Sequence, residues 1–154
     1  LTGTIEVDPA YGKYHWDGHR KCNVCLSPKE TNKLNKICPK CKKPVTVGVE
    51  YRVEELADRP EGFKPKNAKD FKRLMPLSEM ISSSVGKGVA TKTVWEVFNK
   101  LIDQFKSELN ILLDVPEKEL KTFDAKLAEM IIKNRNGKIK VKPGYDGEYG
   151  VPVF

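Results

Sequence analysis

The chain has 154 residues, a formal net charge of +7 and a pI near 9.2, and 32% of its residues are charged. This length allows either one hydrophobic core or a small metal-stabilised module followed by a modest helical domain, and we favour the second. No apolar run is long enough to cross a membrane and no signal peptide is recognisable, so we expect a cytoplasmic, soluble protein with no membrane partner. The excess of Lys and Arg indicates a polyanionic partner, although it also serves general solubility.

Residues 1–21 alternate short apolar positions with turn-forming residues. Thr4–Val7 predicts a short strand, and Pro9 and Gly12 interrupt the pattern that follows. Leu1 is not an initiator residue. We therefore expect this segment to be the tail of a preceding domain and the lead-in to the next one.

Both histidines of the chain lie in a short polar and aromatic segment. Its members are Tyr14, His15, Trp16, Asp17, His19 and Arg20. Two histidines four residues apart can share a metal on a helix, but Gly18 between them disfavours a helix. Three roles stay open: a second metal or catalytic role, packing that supports a neighbouring site, or contact with a nucleic acid. In the last role Tyr14 or Trp16 stacks on a base and Arg20 binds a phosphate.

The four cysteines form two Cys-x-x-Cys pairs, Cys22 with Cys25 and Cys38 with Cys41, separated by twelve residues. Two such turns supply the four thiolates of a closed tetrahedral Zn²⁺ site, and a closed site is structural because no position is left for water. Two disulfides or a redox pair are the alternatives. The Val-rich alternation of residues 44–53 predicts the strand that closes this module, which we place at residues 22–60.

Residues 61–154 predict a helical domain that begins with a linker and ends in a hairpin. The Ser, Gly and Lys loop after residue 81 lacks the glycine of a phosphate-cradling Walker motif before Lys92, so nucleotide hydrolysis is not expected. The loop leads directly into a helix, however, and its amides with Ser84, Lys87 and Lys92 are candidates for holding a DNA phosphate. Trp95 falls on the apolar face of that helix and is expected to be in the core.

The C-terminal segment predicts a strand at residues 138–142 with a hairpin partner at residues 148–151. Lys138, Lys140 and Lys142 alternate along the strand, and Tyr145 follows it. This pattern is typical of a surface that binds a nucleic-acid backbone, but a plain solvated strand has the same pattern.

Four stretches together resemble the endonuclease Q family: Gly12–Cys25, Cys38–Gly48, Arg52–Pro60 and Lys142–Gly147. The resemblance implies an archaeal or bacterial DNA-repair hydrolase with a metal-dependent catalytic PHP domain (polymerase and histidinol phosphatase), a four-cysteine zinc module and a helical domain. Such enzymes nick DNA on the 5′ side of uracil, hypoxanthine and abasic sites. Two histidines cannot supply a PHP active site, so we expect no catalytic residue here and no activity of the chain alone.

The resulting expectation is an α+β chain: a small four-cysteine zinc-binding β module followed by a helical domain with a terminal β-hairpin. Its expected partners are DNA and the catalytic PHP domain of the same polypeptide. An alternative is a zinc and helical brace for the catalytic domain that makes no direct DNA contact.

Overall fold

The computed structural model describes residues 3–153, so the expectation for Leu1 and Thr2 lies outside the described residues. The chain forms two compact units. The helical unit comprises residues 3–7 and 70–139 of those described, and the cysteine unit comprises Asp8–Lys69 and Lys140–Val153. This division differs from the predicted boundaries at residues 21 and 60, because the C-terminal hairpin groups with the cysteines and the N-terminal strand with the helices.

The helical unit is built from five helices and a parallel pair of strands. Strand β1 (Gly3–Glu6) pairs with β4 (Asp70–Arg73), in the register Gly3↔Asp70 to Glu6↔Arg73. The helices are α3 (Leu77–Val85), α4 (Lys92–Phe105), α5 (Glu108–Leu113), α6 (Glu117–Phe123) and α7 (Ala125–Arg135). Their inward faces form a core in which Leu77, Met80, Ile81, Val94, Leu101, Ile111 and Ile131 are almost completely buried.

Two polar side chains of α7 fasten this core. Asn134 is buried, accepts the Met75 amide at 2.9 Å and donates to the Met75 carbonyl at 3.0 Å. The Arg135 guanidinium donates to the carbonyls of Ile111, Leu112 and Val115 at 2.8–3.0 Å, and so satisfies acceptors at the end of α5. The prediction that Trp95 is in the core is wrong: its side chain is 45% exposed, at the surface beside Phe98 with 5.0 Å between ring centroids.

The cysteine unit contains short elements. Strands β2 (Asp17–His19) and β3 (Val24–Leu26) are antiparallel, and helix α1 (Pro28–Lys33) follows with a capping box between Ser27 and Glu30. Val24, Leu26, Cys38 and Val45 form its small core. The strand predicted across residues 44–53 is wrong: Pro44 and Thr46 form only isolated bridges, and helix α2 spans Val49–Leu56 and starts after Gly48.

The C-terminal hairpin consists of β5 (Lys140–Lys142) and β6 (Val151–Val153). Its loop is attached to the lead-in segment of the cysteine unit: the Trp16 amide donates to the Gly144 carbonyl at 2.9 Å, and the Gly150 amide donates to the Tyr11 carbonyl at 3.0 Å. The α+β class with a terminal hairpin is confirmed. Within residues 3–153, no helix combines the length and apolar character needed to cross a bilayer.

Candidate metal centre and neighbouring basic surface

Four side chains of the cysteine unit converge on one point. The ligating atoms of His19, Cys22, Cys38 and Cys41 all lie within 4.8 Å of one another. Zinc binds sulfur at about 2.3 Å and imidazole nitrogen at about 2.0–2.1 Å, so at the tetrahedral angle the ligand atoms of one ion lie about 3.6–3.8 Å apart. The four groups therefore fit a single tetrahedral ion after small adjustments.

Local backbone structure explains this convergence. A 3-10 turn at Arg20–Cys22 follows β2, and Asn23 ends it in a left-handed conformation with φ 49°. In the second turn the Lys42 amide donates to the Cys38 carbonyl at 3.0 Å. Lys40 Nζ donates to the Cys22 carbonyl at 2.8 Å, so the two turns are also tied to each other.

The hydrogen bonds of the two turns have opposite effects on the thiols. Backbone amides of Cys41 and Lys40 donate to Cys38 Sγ, and they lower the pKa of Cys38 to about 6 although desolvation opposes them. Hydrogen bonding with Cys41, together with burial, raises the pKa of Cys22 to about 11. His19 Nδ1 lies 3.4 Å from Cys41 Sγ. Because a metal binds thiolates, loading this site releases protons.

Cys25 does not join the cluster, which differs from the four-cysteine ligand set expected from the spacing. Its neighbours in β3, Val24 and Leu26, point into the core with Cys38, so alternation places the Cys25 side chain on the other face of the strand. There burial raises the pKa of the Cys25 thiol. The fourth member of the cluster is His19, the last residue of β2, whose Nδ1 faces Cys41 Sγ.

The remaining members of the His15, Asp17 and His19 set have separate environments. Asp17 is completely buried, and its Oδ1 accepts the Gly48 amide at 2.6 Å just before α2 begins. The His15 carbonyl accepts the Glu50 amide at 3.0 Å. Asp17 therefore orients α2, and the described residues do not bring these three side chains together as one metal or catalytic group.

The cysteine unit also carries a basic and aromatic surface. It includes Arg20, which directly follows His19 of the cluster in the sequence. Arg20, Lys142, Tyr145 and Tyr149 line an open depression of about 320 Å³ together with Asn23 and Glu148, whose Oε1 lies 3.7 Å from Arg20 Nε. Lys13 Nζ stands 5.7 Å from the Tyr14 ring centroid and 5.8 Å from the Tyr149 ring centroid. We call the set Lys13, Tyr14, Arg20, Lys142, Tyr145 and Tyr149 the Arg20 surface.

Asp146 fixes the hairpin loop to this surface. Its Oδ2 accepts the Arg20 amide at 2.6 Å and its Oδ1 accepts the Thr46 hydroxyl at 2.6 Å. Partial burial opposes ionisation of Asp146, but these hydrogen bonds outweigh it and hold the pKa of the carboxyl below its usual value. The Tyr145 hydroxyl donates to Asn23 Oδ1 at 2.9 Å, next to the first cysteine turn.

The predicted DNA-contacting residues thus divide between the two units. Tyr14, Arg20, Lys142 and Tyr145 meet on the Arg20 surface, Lys140 is exposed on β5, and His15 and Trp16 are half-buried. His19 belongs to the metal cluster. Ser84, Lys87, Lys92 and Lys138 lie in the helical unit.

Sequence reasoning missed Lys13, Asn23 and Asp146. Lys13 could have been predicted from the sequence, because it is a cation directly beside the aromatic Tyr14. The other two act through contacts with residues more than a hundred positions away.

Fold and site define an α+β region with a cluster of one His and three Cys that could hold a metal ion, in the same unit as a basic aromatic surface. A family profile described as the MJ0043 C-terminal domain matches residues 76–138. The uncharacterized protein MJ0043 of Methanocaldococcus jannaschii is 39% identical over 96% of this chain and 19% of its own length. The uncharacterized protein YqxK of Bacillus subtilis is 31% identical over 94% of this chain and 33% of its own length.

Two solved structures have the same fold. The lesion-specific endonuclease PfuEndoQ from Pyrococcus furiosus superposes with a TM-score of 0.83 and 34% identity, over 97% of this chain and 37% of that one. Endonuclease Q in complex with a 27-mer duplex carrying an abasic lesion gives a TM-score of 0.82 and 33% identity, over 97% of this chain and 38% of that one. The resemblance to endonuclease Q is confirmed: this chain has the fold of one region of that enzyme and spans well under half of its length.

Proposed function

We propose that this chain is the DNA-holding region of a DNA-repair endonuclease and is not catalytic by itself. The whole enzyme nicks DNA on the 5′ side of deaminated bases, such as uracil and hypoxanthine, and of abasic sites. DNA and the catalytic PHP domain of the same polypeptide are the partners of this chain. The similarity to a lesion-specific endonuclease and to a duplex-bound endonuclease Q supports the proposal.

The main structural support for DNA binding is the Arg20 surface. Arg20, Lys142 and Lys140 supply phosphate-binding cations, while Tyr14 and Tyr149 are 48% and 67% exposed and offer ring faces for stacking. Lys140 and Lys142 are two residues apart in β5, so they share one face of the strand. Extrusion of a damaged nucleotide costs a few kcal/mol, and a firm hold on the flanking backbone offsets part of that cost.

Zn²⁺ in a structural role is the proposed metal. Three sulfurs and one imidazole are a donor set that zinc prefers, and four protein ligands leave no coordination position for substrate. The ion's role is to hold the turn that carries Arg20. A second DNA contact is proposed at Ser84, Lys87 and Lys92, because the Thr91 hydroxyl donates to Gly88 and leaves the first amides of α4 without a side-chain cap.

The test is DNA affinity measured by fluorescence anisotropy at two or more salt concentrations. The double variant Arg20→Gln with Lys142→Gln should weaken binding and reduce the salt slope by about one for each phosphate that the variant no longer binds. Lys66→Gln with Lys69→Gln is the matched control, because both lysines are exposed in the same unit and do not line the depression. Equal affinities of the two folded variants would favour the brace that makes no direct DNA contact.

A further inference from the structure

The parallel strand pair of the helical unit is exposed on both of its faces. All of β4 and most of β1 lie at the surface. The register pairs Ile5 with Lys72 and Thr4 with Phe71, so Ile5 and Phe71 point to opposite faces of the pair. Their exposed fractions are 48% and 52%, and Val7, just beyond β1, is 51% exposed.

A parallel pair with both faces at the surface is physically unusual. Parallel sheets occur almost only where both faces are covered, and two strands alone are marginal in water. The outer edges of such a pair are also where a further strand can add. At one end the pair is linked to the helical core, where the Leu74 amide donates to the Glu6 carbonyl at 2.9 Å and Leu74 is buried.

The charge pattern argues against a nucleic acid as the covering partner. Glu6 and Asp70 balance Lys72 and Arg73, so the pair has no net positive charge. The Arg73 guanidinium lies 5.4 Å from the Phe71 ring centroid, which places a cation over part of one apolar patch. Apolar side chains between charges of both signs are typical of a protein interface.

We propose that the β1 and β4 pair is the docking surface for the catalytic part of the same polypeptide, an inference that rests on the proposed function. The length of the relatives supports the catalytic part as the partner. The matched region is only 37–38% of the endonuclease Q chains and 19–33% of the curated relatives, so most of each relative lies outside it. A tethered partner has a high effective concentration, so even this small surface suffices for docking. The partner covers Ile5 and Phe71 and adds a strand at an edge of the pair.

Hydrogen–deuterium exchange on the full-length enzyme and on this 154-residue chain tests the docking. The amides of residues 3–6 and 70–73 should exchange about tenfold or more slowly in the full-length enzyme. Ile5→Ser with Phe71→Ser in the full-length enzyme should abolish that difference. Val85→Ser with Leu109→Ser is the control, because these side chains are 37% and 53% exposed elsewhere in the helical unit and should leave the protection intact.

Equal exchange of the strand pair in the two proteins overturns the proposal. Protection in the 154-residue chain that rises with its own concentration also overturns it, because a second copy is then the occupant. DNA affinity of each variant, measured in parallel, separates the two proposals. A strand pair protected in the full-length enzyme together with an Arg20 surface that does not bind DNA would keep the docking site and reject the DNA-holding role.

Discussion

The two units reach a defined structure by different means. The helical unit has a core of almost completely buried Leu, Ile, Met and Val side chains spread over five helices. The cysteine unit has a core cluster of Val24, Leu26, Cys38 and Val45, and one of these four is itself a candidate metal ligand. The first unit therefore has a sizeable apolar core of its own, whereas we expect the second to depend on a bound ion.

Backbone strain follows the same division. Among the described residues, five of the six non-glycine residues with positive φ lie in the cysteine unit: Asn23, Asn35, Lys36, Lys42 and Asp146. A left-handed conformation costs roughly 1–2 kcal/mol for most residues, although Asn and Asp tolerate it better. Hydrogen bonds hold several of these turns: the Lys36 amide donates to the Thr31 carbonyl, the Lys42 amide donates to the Cys38 carbonyl, and Asp146 accepts from Arg20 and Thr46.

Removing a buried ligand should have the largest effect. Cys38→Ser, or a strong chelator, should unfold the cysteine unit, because structural zinc sites contribute about 10–16 kcal/mol of binding energy to small domains. Amide NMR spectra should lose dispersion for residues 8–69 and keep it for α3 to α7. A metal-free chain with both units folded would contradict the proposed dependence on the ion.

The identity of the fourth ligand is the next sharpest test. His19→Ala should weaken metal binding by more than the roughly 10–100-fold effect typical of outer-shell changes. Cys25→Ser should retain one equivalent of zinc, because Cys25 lies on the other face of β3. Competition with a chromophoric chelator measures the zinc affinity of both variants. A larger loss of affinity in Cys25→Ser than in His19→Ala would favour the four-cysteine ligand set.

A core truncation in the helical unit should cost less and leave the metal site unaffected. Leu101 is 1% exposed, so Leu101→Ala should reduce the free energy of unfolding by about 2–5 kcal/mol. Leu109→Ala is the control, since that side chain is 53% exposed and the change should stay within about 0.5 kcal/mol. Denaturant titration followed by circular dichroism gives the two values, and an altered zinc affinity in Leu101→Ala would show that the units are not independent.

The sequence predicted the helical unit and the presence of a metal site better than the details of the cysteine unit. Apolar periodicity is a local signal, so α3, α4 and α7 were foreseeable. Residues 44–53 alternate as a strand does, but Val49–Leu56 is helical because the buried Asp17 carboxylate holds the Gly48 amide where α2 starts. That contact spans 31 positions, and no local pattern contains it.

The cysteine cluster and the unit boundaries of the structure differ from the predicted ones for a similar reason. Cys-x-x-Cys spacing indicates a metal site, but the pleat of β3 decides that Cys25 faces away from it. The grouping of the hairpin with the cysteines depends on contacts such as those of Trp16 with Gly144 and of Arg20 with Asp146. Both pairs are more than a hundred residues apart in sequence.

The smallest effect is expected at the helix surface of the helical unit. Lys133 Nζ lies 3.0 Å from Glu129 Oε1 along α7, and this hydrogen bond and charge lower the pKa of Glu129. Because the folded pKa is depressed, the pair contributes stability above the ordinary Glu pKa of about 4.3, and the contribution is lost as pH falls through the lower folded value. Carbon NMR titration should give a higher Glu129 pKa in Lys133→Gln than in the unsubstituted chain, and equal values would mean that the pair does not form in solution. A small shift would show that Lys133 contributes little to folding, whereas Arg20 and Lys142 lie in the unit that we expect a bound ion to stabilise.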